Sequence, residues 1–192
     1  MIPVVGFCTI NTPYEEEAEK MKASAYAVGI KEVRLYKMVS KATWELNCQQ
    51  KAAIILQACE DLKRPFLYVD ADARFNRSLP DEISSWEKQY DIGVHYFKKV
   101  ELLSGTLYIN PTPRTKFILL DWVSYCMTAP TAWDQKILQG IFEKDTLTRI
   151  NYLPPEYTWI YDLSLRYYGG GNPIITHYQA SRKYKRLIRE NK

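Results

Sequence analysis

No stretch of the chain approaches the roughly 20 consecutive apolar residues that a membrane-spanning helix needs. The opening from Met1 to Ile10 is apolar but has no basic segment within it, so it does not read as a secretory leader. Cysteine is sparse: Cys8, Cys48, Cys59 and Cys126 stand far apart, with no CxxC pair and no ligand-like spacing. That pattern argues against a cysteine metal centre and for small buried residues in a reducing compartment. Internal repeats and low-complexity linkers are also missing. The expectation is one compact soluble unit of 192 residues, located in the cytoplasm.

A basic face is lacking too. The formal net charge of +4 collects in residues 181–192, where Arg182, Lys183, Lys185, Arg186, Arg189 and Lys192 face a single acid, Glu190. The body, residues 1–180, holds 20 basic and 21 acidic side chains. A near-neutral body argues against broad nucleic-acid binding, so no nucleic-acid partner is expected. The tail carries Tyr184, Leu187 and Ile188 among its cations, a composition that suits peripheral contact with an anionic membrane.

What the chain does have is apolar and aromatic content: 46% hydrophobic, 25% charged, and fifteen tyrosines. Rings with polar tips suit sugar and nucleobase surfaces, and they suit ordinary half-buried positions equally well. Strand-like and helix-like segments alternate, which predicts an α/β fold with helices on the faces of a sheet. Strands are expected at 4–10, 32–38, 66–69, 91–97, 101–110, 149–153 and 173–176. Helices are expected at 15–28, 43–62, 81–90, 115–126 and 131–142, the first with Thr12 as N-cap and Gly29 at its end.

The segment Asp70-Ala71-Asp72 follows the buried strand Phe66-Leu67-Tyr68-Val69. Residues two apart on a strand share a face, so both carboxylates are expected to aim at one point. A divalent cation is commonly held by one or two such groups, with substrate phosphates completing its shell. Ligands also collect outside the carboxyl ends of strands in open α/β sheets. The plainer alternative is an Asx turn closing a strand.

Here the sequence resembles the GT-A fold glycosyltransferases, and within them the retaining glycogenin-like and lipopolysaccharide-galactosyltransferase-like enzymes. The hydrophobic strand with its DxD carries the resemblance, and three further segments follow in matching order. Leu103-Ser104-Gly105-Thr106-Leu107-Tyr108-Ile109-Asn110 is similar to the family strand in which a small residue and glycine admit the donor sugar. Trp133-Asp134-Gln135 is similar to an Asp-Gln element near the reacting sugar carbon, although Asp134 next to Trp133 reads equally as a plain N-cap. His177 and Lys183 resemble the family's C-terminal metal-binding His and diphosphate-binding Lys. The Pro-Trp that often follows that lysine is replaced by Tyr184-Lys185.

The resemblance implies a mixed, mostly parallel sheet flanked by helices, one catalytic domain over 1–180 and a basic tail over 181–192. It implies sugar transfer from a nucleotide diphosphate donor, UDP-linked by expectation, with retention, to a glycan, lipid-linked or protein acceptor. Asp70, Asp72 and His177 are the expected metal ligands. A shell mixing carboxylate and imidazole favours Mn²⁺, with Mg²⁺ as the alternative. Donor contacts are expected from Thr9, Tyr14, Asp70, Ser104, Gly105 and Lys183, with Tyr14 stacking on uracil. Lys51 faces either the nucleotide or solvent. Asp134 and Gln135 are the expected catalytic pair. Two rival classes share some of these features: a divalent-metal nucleotidyltransferase or phosphoesterase, and a non-catalytic module binding a nucleotide sugar or an anionic surface.

Overall fold

The computed structural model describes residues 2–182. Strand β1 (Val4–Thr9), helix α1 (Tyr14–Ala27), β2 (Val33–Met38), α2 (Trp44–Leu62) and β3 (Phe66–Val69) follow one another as the sequence pattern predicts. Thr43 caps α2, its side chain accepting from the Leu46 N–H at 3.2 Å. Lys63, in the left-handed region at φ 53°, ends that helix two residues before Pro65. After β4 (Ala73–Phe75) come a 3₁₀ helix, Asp81–Lys88, then β5 (Ile92–Phe97) and β6 (Glu101–Ile109). Helices α3 (Pro113–Thr128) and α4 (Asp134–Phe142) precede β7 (Ile150–Tyr152), β8 (Trp159–Ile160), α5 (Tyr161–Tyr168) and β9 (Ile175–His177).

Six strands form one mixed sheet in the order β2-β1-β3-β6-β5-β7. β1 runs parallel to β2 and β3, and β5 runs parallel to β7; only β6 opposes its neighbours β3 and β5. Both faces are covered, and the alternation of side chains divides each strand between two cores. Phe66, Tyr68, Leu107 and Ile109 join the cluster under α2, α3 and α4, while Leu67, Val69 and Tyr108 join the one that includes Met21 and Ala25 of α1.

Two irregularities shape the site. The β5–β6 register jumps from Val94↔Leu107 to His95↔Leu103, so Ser104, Gly105 and Thr106 have no partner on β5. A bulge of this kind re-aims side chains. A second, three-stranded sheet, β4-β9-β8, sets Ala73 opposite His177 and Ile160 beside it.

Several expectations change. Asp70-Ala71-Asp72 is a turn between β3 and β4, closed by the Ala73 N–H on the Asp70 carbonyl at 3.1 Å, so strand alternation does not aim its carboxylates. The N-cap of α1 is Pro13, with Thr12 one residue outside it. The 81–90 helix is a 3₁₀ helix. The expected helix 131–142 starts only at Asp134, because Gln49 Nε2 holds the preceding turn through the Ala129 and Ala132 carbonyls, both at 2.8 Å. Strands β4 and β8 and helix α5 were not foreseen; they are too short for periodicity to register.

Candidate active site

Helix α2 places Lys51 on its inward stripe beside Ala52 and Ile55. A lysine there lays its stem along apolar surface and delivers the ammonium at the far end. That ammonium lies 3.1 Å from Asp70 Oδ1 and 3.1 Å from Asp134 Oδ2, and it donates to Ser104 Oγ at 3.0 Å. The solvent-facing alternative for Lys51 is thereby excluded. Burial alone pulls its pKa down, but the Asp134 and Asp70 carboxylates outweigh that and hold it above the ordinary lysine value.

Asp134 is the first residue of α4, and its carboxylate does not cap the helix. It accepts from Ser104 Oγ at 3.1 Å in addition to Lys51, and its carbonyl takes the Trp122 indole N–H at 2.9 Å. Gln135 accepts from the Ser104 N–H at 3.3 Å and donates to Glu101 at 3.0 Å. Ser104 and Gly105 belong to the unpaired β6 bulge, which explains why so many groups converge there.

Asp70, Asp72 and His177 offer ligand atoms that all lie within 4.8 Å of one another. Asp70 Oδ1 accepts from the Tyr68 hydroxyl at 2.7 Å, and burial raises the Asp70 pKa although Lys51 opposes the rise. For Asp72, burial acts upward but the hydrogen bond and charge of His177 prevail, so its pKa is lowered. His177 Nε2 pairs with Thr106 Oγ1 at 2.8 Å, which leaves Nδ1 facing Asp72 Oδ1 at 3.6 Å. Gly105 makes this approach feasible. A Cβ at that position would stand 2.9 Å from His177 Cε1 and 3.3 Å from Asp70 Oδ2.

The chain after His177 wraps around Asp72. Gln179 takes a left-handed φ of 55°, and on either side of it the Tyr178 N–H donates to the Asp72 carbonyl at 3.2 Å and the Ala180 N–H to Asp72 Oδ2 at 2.9 Å. Lys51, Asp70, Asp72, Ser104, Gly105, Asp134, Gln135, His177 and Gln179 line one cavity of about 440 Å³, together with Trp44, Cys48, Glu101, Leu103, Trp133 and Thr158. Thr9 and Tyr14 are not among its lining residues. The Thr9 carbonyl and hydroxyl are engaged by Thr12, and burial raises the Tyr14 phenol's pKa, assisted by the Asp72 charge. Lys183, the expected diphosphate ligand, lies outside the described residues, as does the tail beyond it.

The sequence reading missed Tyr68, Thr106, Glu101 and Thr158. Tyr68 is a β3 residue whose hydroxyl reaches Asp70 across the start of the turn, a contact that strand alternation alone does not fix. Thr106 was recoverable only through the bulge, and a bulge leaves no sequence signature here.

The sheet order, the antiparallel β6 and a cation-type site beyond β3 define the GT-A fold of glycosyltransferases. A crystal structure of a glycosyltransferase involved in glycosylation of the major capsid of PBCV-1 matches with a TM-score of 0.69 at 15% identity, covering 98% of this chain and 99% of that one. The galactosyltransferase LgtC, solved with donor and acceptor sugar analogues, matches with a TM-score of 0.59 at 14% identity, over 93% of this chain and 87% of that chain. GlyE of Streptococcus pneumoniae TIGR4 matches with a TM-score of 0.61 at 15% identity, over 93% of this chain and 55% of GlyE. No protein-family model and no curated protein sequence matches the chain. At such identities the likeness establishes the fold, and the chemistry rests on the site.

Proposed function

We propose that the protein is a Mn²⁺-dependent glycosyltransferase that takes a sugar from a nucleotide diphosphate donor, UDP-linked, and transfers it with retention. The observation that carries this reading is the convergence of Asp70, Asp72 and His177 within 4.8 Å beside the Lys51–Asp134 pair, in one cavity of a GT-A fold.

The donor set fits a metal. Two carboxylates and an imidazole whose far nitrogen is fixed by Thr106 match a borderline cation such as Mn²⁺ better than the oxygen-seeking Mg²⁺. When bound there, the cation supplies a Lewis acid that neutralises charge on the departing diphosphate. Asp72 Oδ2 is committed to the Ala180 N–H, which leaves Oδ1, facing His177 Nδ1, as the oxygen that would hold the cation.

The chain's own residues supply the remainder. Lys51 keeps positive charge between the metal ligands and Asp134. With Lys51 and Ser104 already on its carboxylate, Asp134 is a weak free nucleophile and a good acceptor for sugar hydroxyls. Gln135 is likewise held by Ser104 and Glu101, so it orients rather than attacks. These commitments favour a retaining attack from the leaving-group face. In it the acceptor oxygen bonds to the anomeric carbon as the carbon–phosphate oxygen bond breaks, and the hydroxyl proton departs with the diphosphate. The rival nucleotidyltransferase or phosphoesterase chemistry calls for more clustered acids than the Asp70–Asp72 pair offers among the described residues.

Incubation with UDP-glucose and UDP-galactose in the presence of Mn²⁺ tests the reading. Release of uridine diphosphate supports it, and release of the monophosphate assigns the site to the rival chemistry.

A further inference from the structure

Arg74 stands two residues after Asp72, between Ala73 and Phe75, which are buried in the core shared with Met21 and Ala25 of α1. Its guanidinium reaches the first turn of that helix. Nη2 pairs with the Glu17 carboxylate, and Nη1 donates to the Glu17 carbonyl at 3.3 Å. Nη1 also donates to the Ala73 carbonyl at 2.7 Å and the Ala71 carbonyl at 3.4 Å. The pair is largely withdrawn from water, the Arg74 and Glu17 side chains being 20% and 13% exposed.

Ala71 and Ala73 flank Asp72, so one guanidinium grips the chain before and after that residue and ties both points to α1. The other holds on Asp72 come from the segment after β9: the Tyr178 N–H on its carbonyl and the Ala180 N–H on its Oδ2. His177 depends on the same strand pair, since Ala73 lies opposite His177 and Arg74 opposite Thr176. A planar guanidinium presents several donors in a fixed fork, which suits a carboxylate and carbonyls held at once; an ammonium is a single point donor.

We propose that Arg74, anchored on Glu17, is a positioning residue for the cation site. It fixes the backbone on both sides of Asp72, so that Asp72 Oδ1 stays directed at His177 Nδ1, 3.6 Å away. The proposal rests on the reading of Asp70, Asp72 and His177 as cation ligands and adds a residue outside that set. Charge alone makes the opposite prediction. Taking a positive charge from the neighbourhood of the site favours a divalent cation, whereas loss of the grip on Asp72 weakens its binding.

Titration of the full chain with Mn²⁺ alone tests this, followed by the electron paramagnetic resonance of free aqueous Mn²⁺ at a temperature where every variant is folded. The parent is expected to bind Mn²⁺. Arg74→Met, which keeps the stem and leaves Lys20 beside Glu17 at 3.4 Å, binds it about tenfold more weakly, the size of a lost outer-shell partner. Arg74→Lys keeps the charge without the fork and recovers part of the loss. Asp91→Asn breaks the Asp91–Arg149 pair, whose residues do not line the cavity, and keeps the parent affinity; it controls for lowered stability. If Arg74→Met and Arg74→Lys melt lower yet bind Mn²⁺ like the parent, Arg74 only supports the fold; the proposal is overturned and the cation reading stands. Tighter binding by Arg74→Met assigns the residue an effect through charge and overturns the proposal as well. A parent protein that binds no Mn²⁺ overturns the cation reading and the proposal with it.

Discussion

Lys51 Nζ stands 3.1 Å from Asp70 and 3.1 Å from Asp134, so one buried ammonium from α2 ties the Asp70–Asp72–His177 cluster to the Asp134 side of the cavity. The pair with Asp134 is closed to solvent, and that with Asp70 is partly open, the Asp70 side chain being 32% exposed. Lys51→Met keeps most of the stem and removes the charge, leaving Asp134 buried without a counter-ion. Breaking such a pair costs about 3 kcal/mol, the low end of the range because Asp70 retains water. Urea unfolding should read that loss, accompanied by loss of donor turnover.

Gly105 carries a sharper steric prediction. In Gly105→Ala the new Cβ meets His177 Cε1 at 2.9 Å and Nδ1 at 3.1 Å, and the buried ring has Thr106 behind it. Overpacking of this kind costs about 1–3 kcal/mol. The stabilisation that Mn²⁺ gives the parent protein in thermal melting should also shrink or vanish, because the imidazole is displaced from the triad.

The acid limb of stability belongs partly to a group far from the site. Asp91 accepts from Arg149 Nη2 at 2.9 Å, from the Arg149 N–H at 3.0 Å and from the Thr112 hydroxyl at 2.9 Å. Burial acts upward, but these bonds prevail and lower its pKa below the ordinary carboxylate value. A lowered carboxylate stabilises the fold above the unfolded-state pKa, and that contribution disappears as pH falls through the lower folded value. Asp91→Asn should therefore reduce stability at neutral pH and make the decline below about pH 4 shallower, as read by unfolding across pH.

Much of this was legible in the sequence. The alternation of β1, α1, β2, α2 and β3 followed from apolar periodicity and from stops at Gly29 and Pro65, because each element is long enough to show its period. The acidic pair, His177 and Asp134 were visible as residue types in a matching order. Their convergence was not. It depends on the turn at Asp70–Asp72, on the β5–β6 register shift and on the pairing of the three-residue strands β4 and β9, all long-range events with weak local signals. Lys51 shows the same limit: from the sequence it faces either the nucleotide or solvent, and only the packing shows that its stripe is the buried one.

The central claim is that Asp70, Asp72 and His177 hold a cation that serves donor cleavage. Measuring uridine diphosphate release from UDP-sugars with Mn²⁺, in the parent protein and in Asp72→Asn, tests it most directly. The account predicts release that depends on Mn²⁺, is abolished by chelation, and falls by at least about a hundredfold in Asp72→Asn, with the fold retained in thermal melting because Asp72 lies in a turn beyond β3. Equal release by the variant, or release unaffected by chelation, would contradict it.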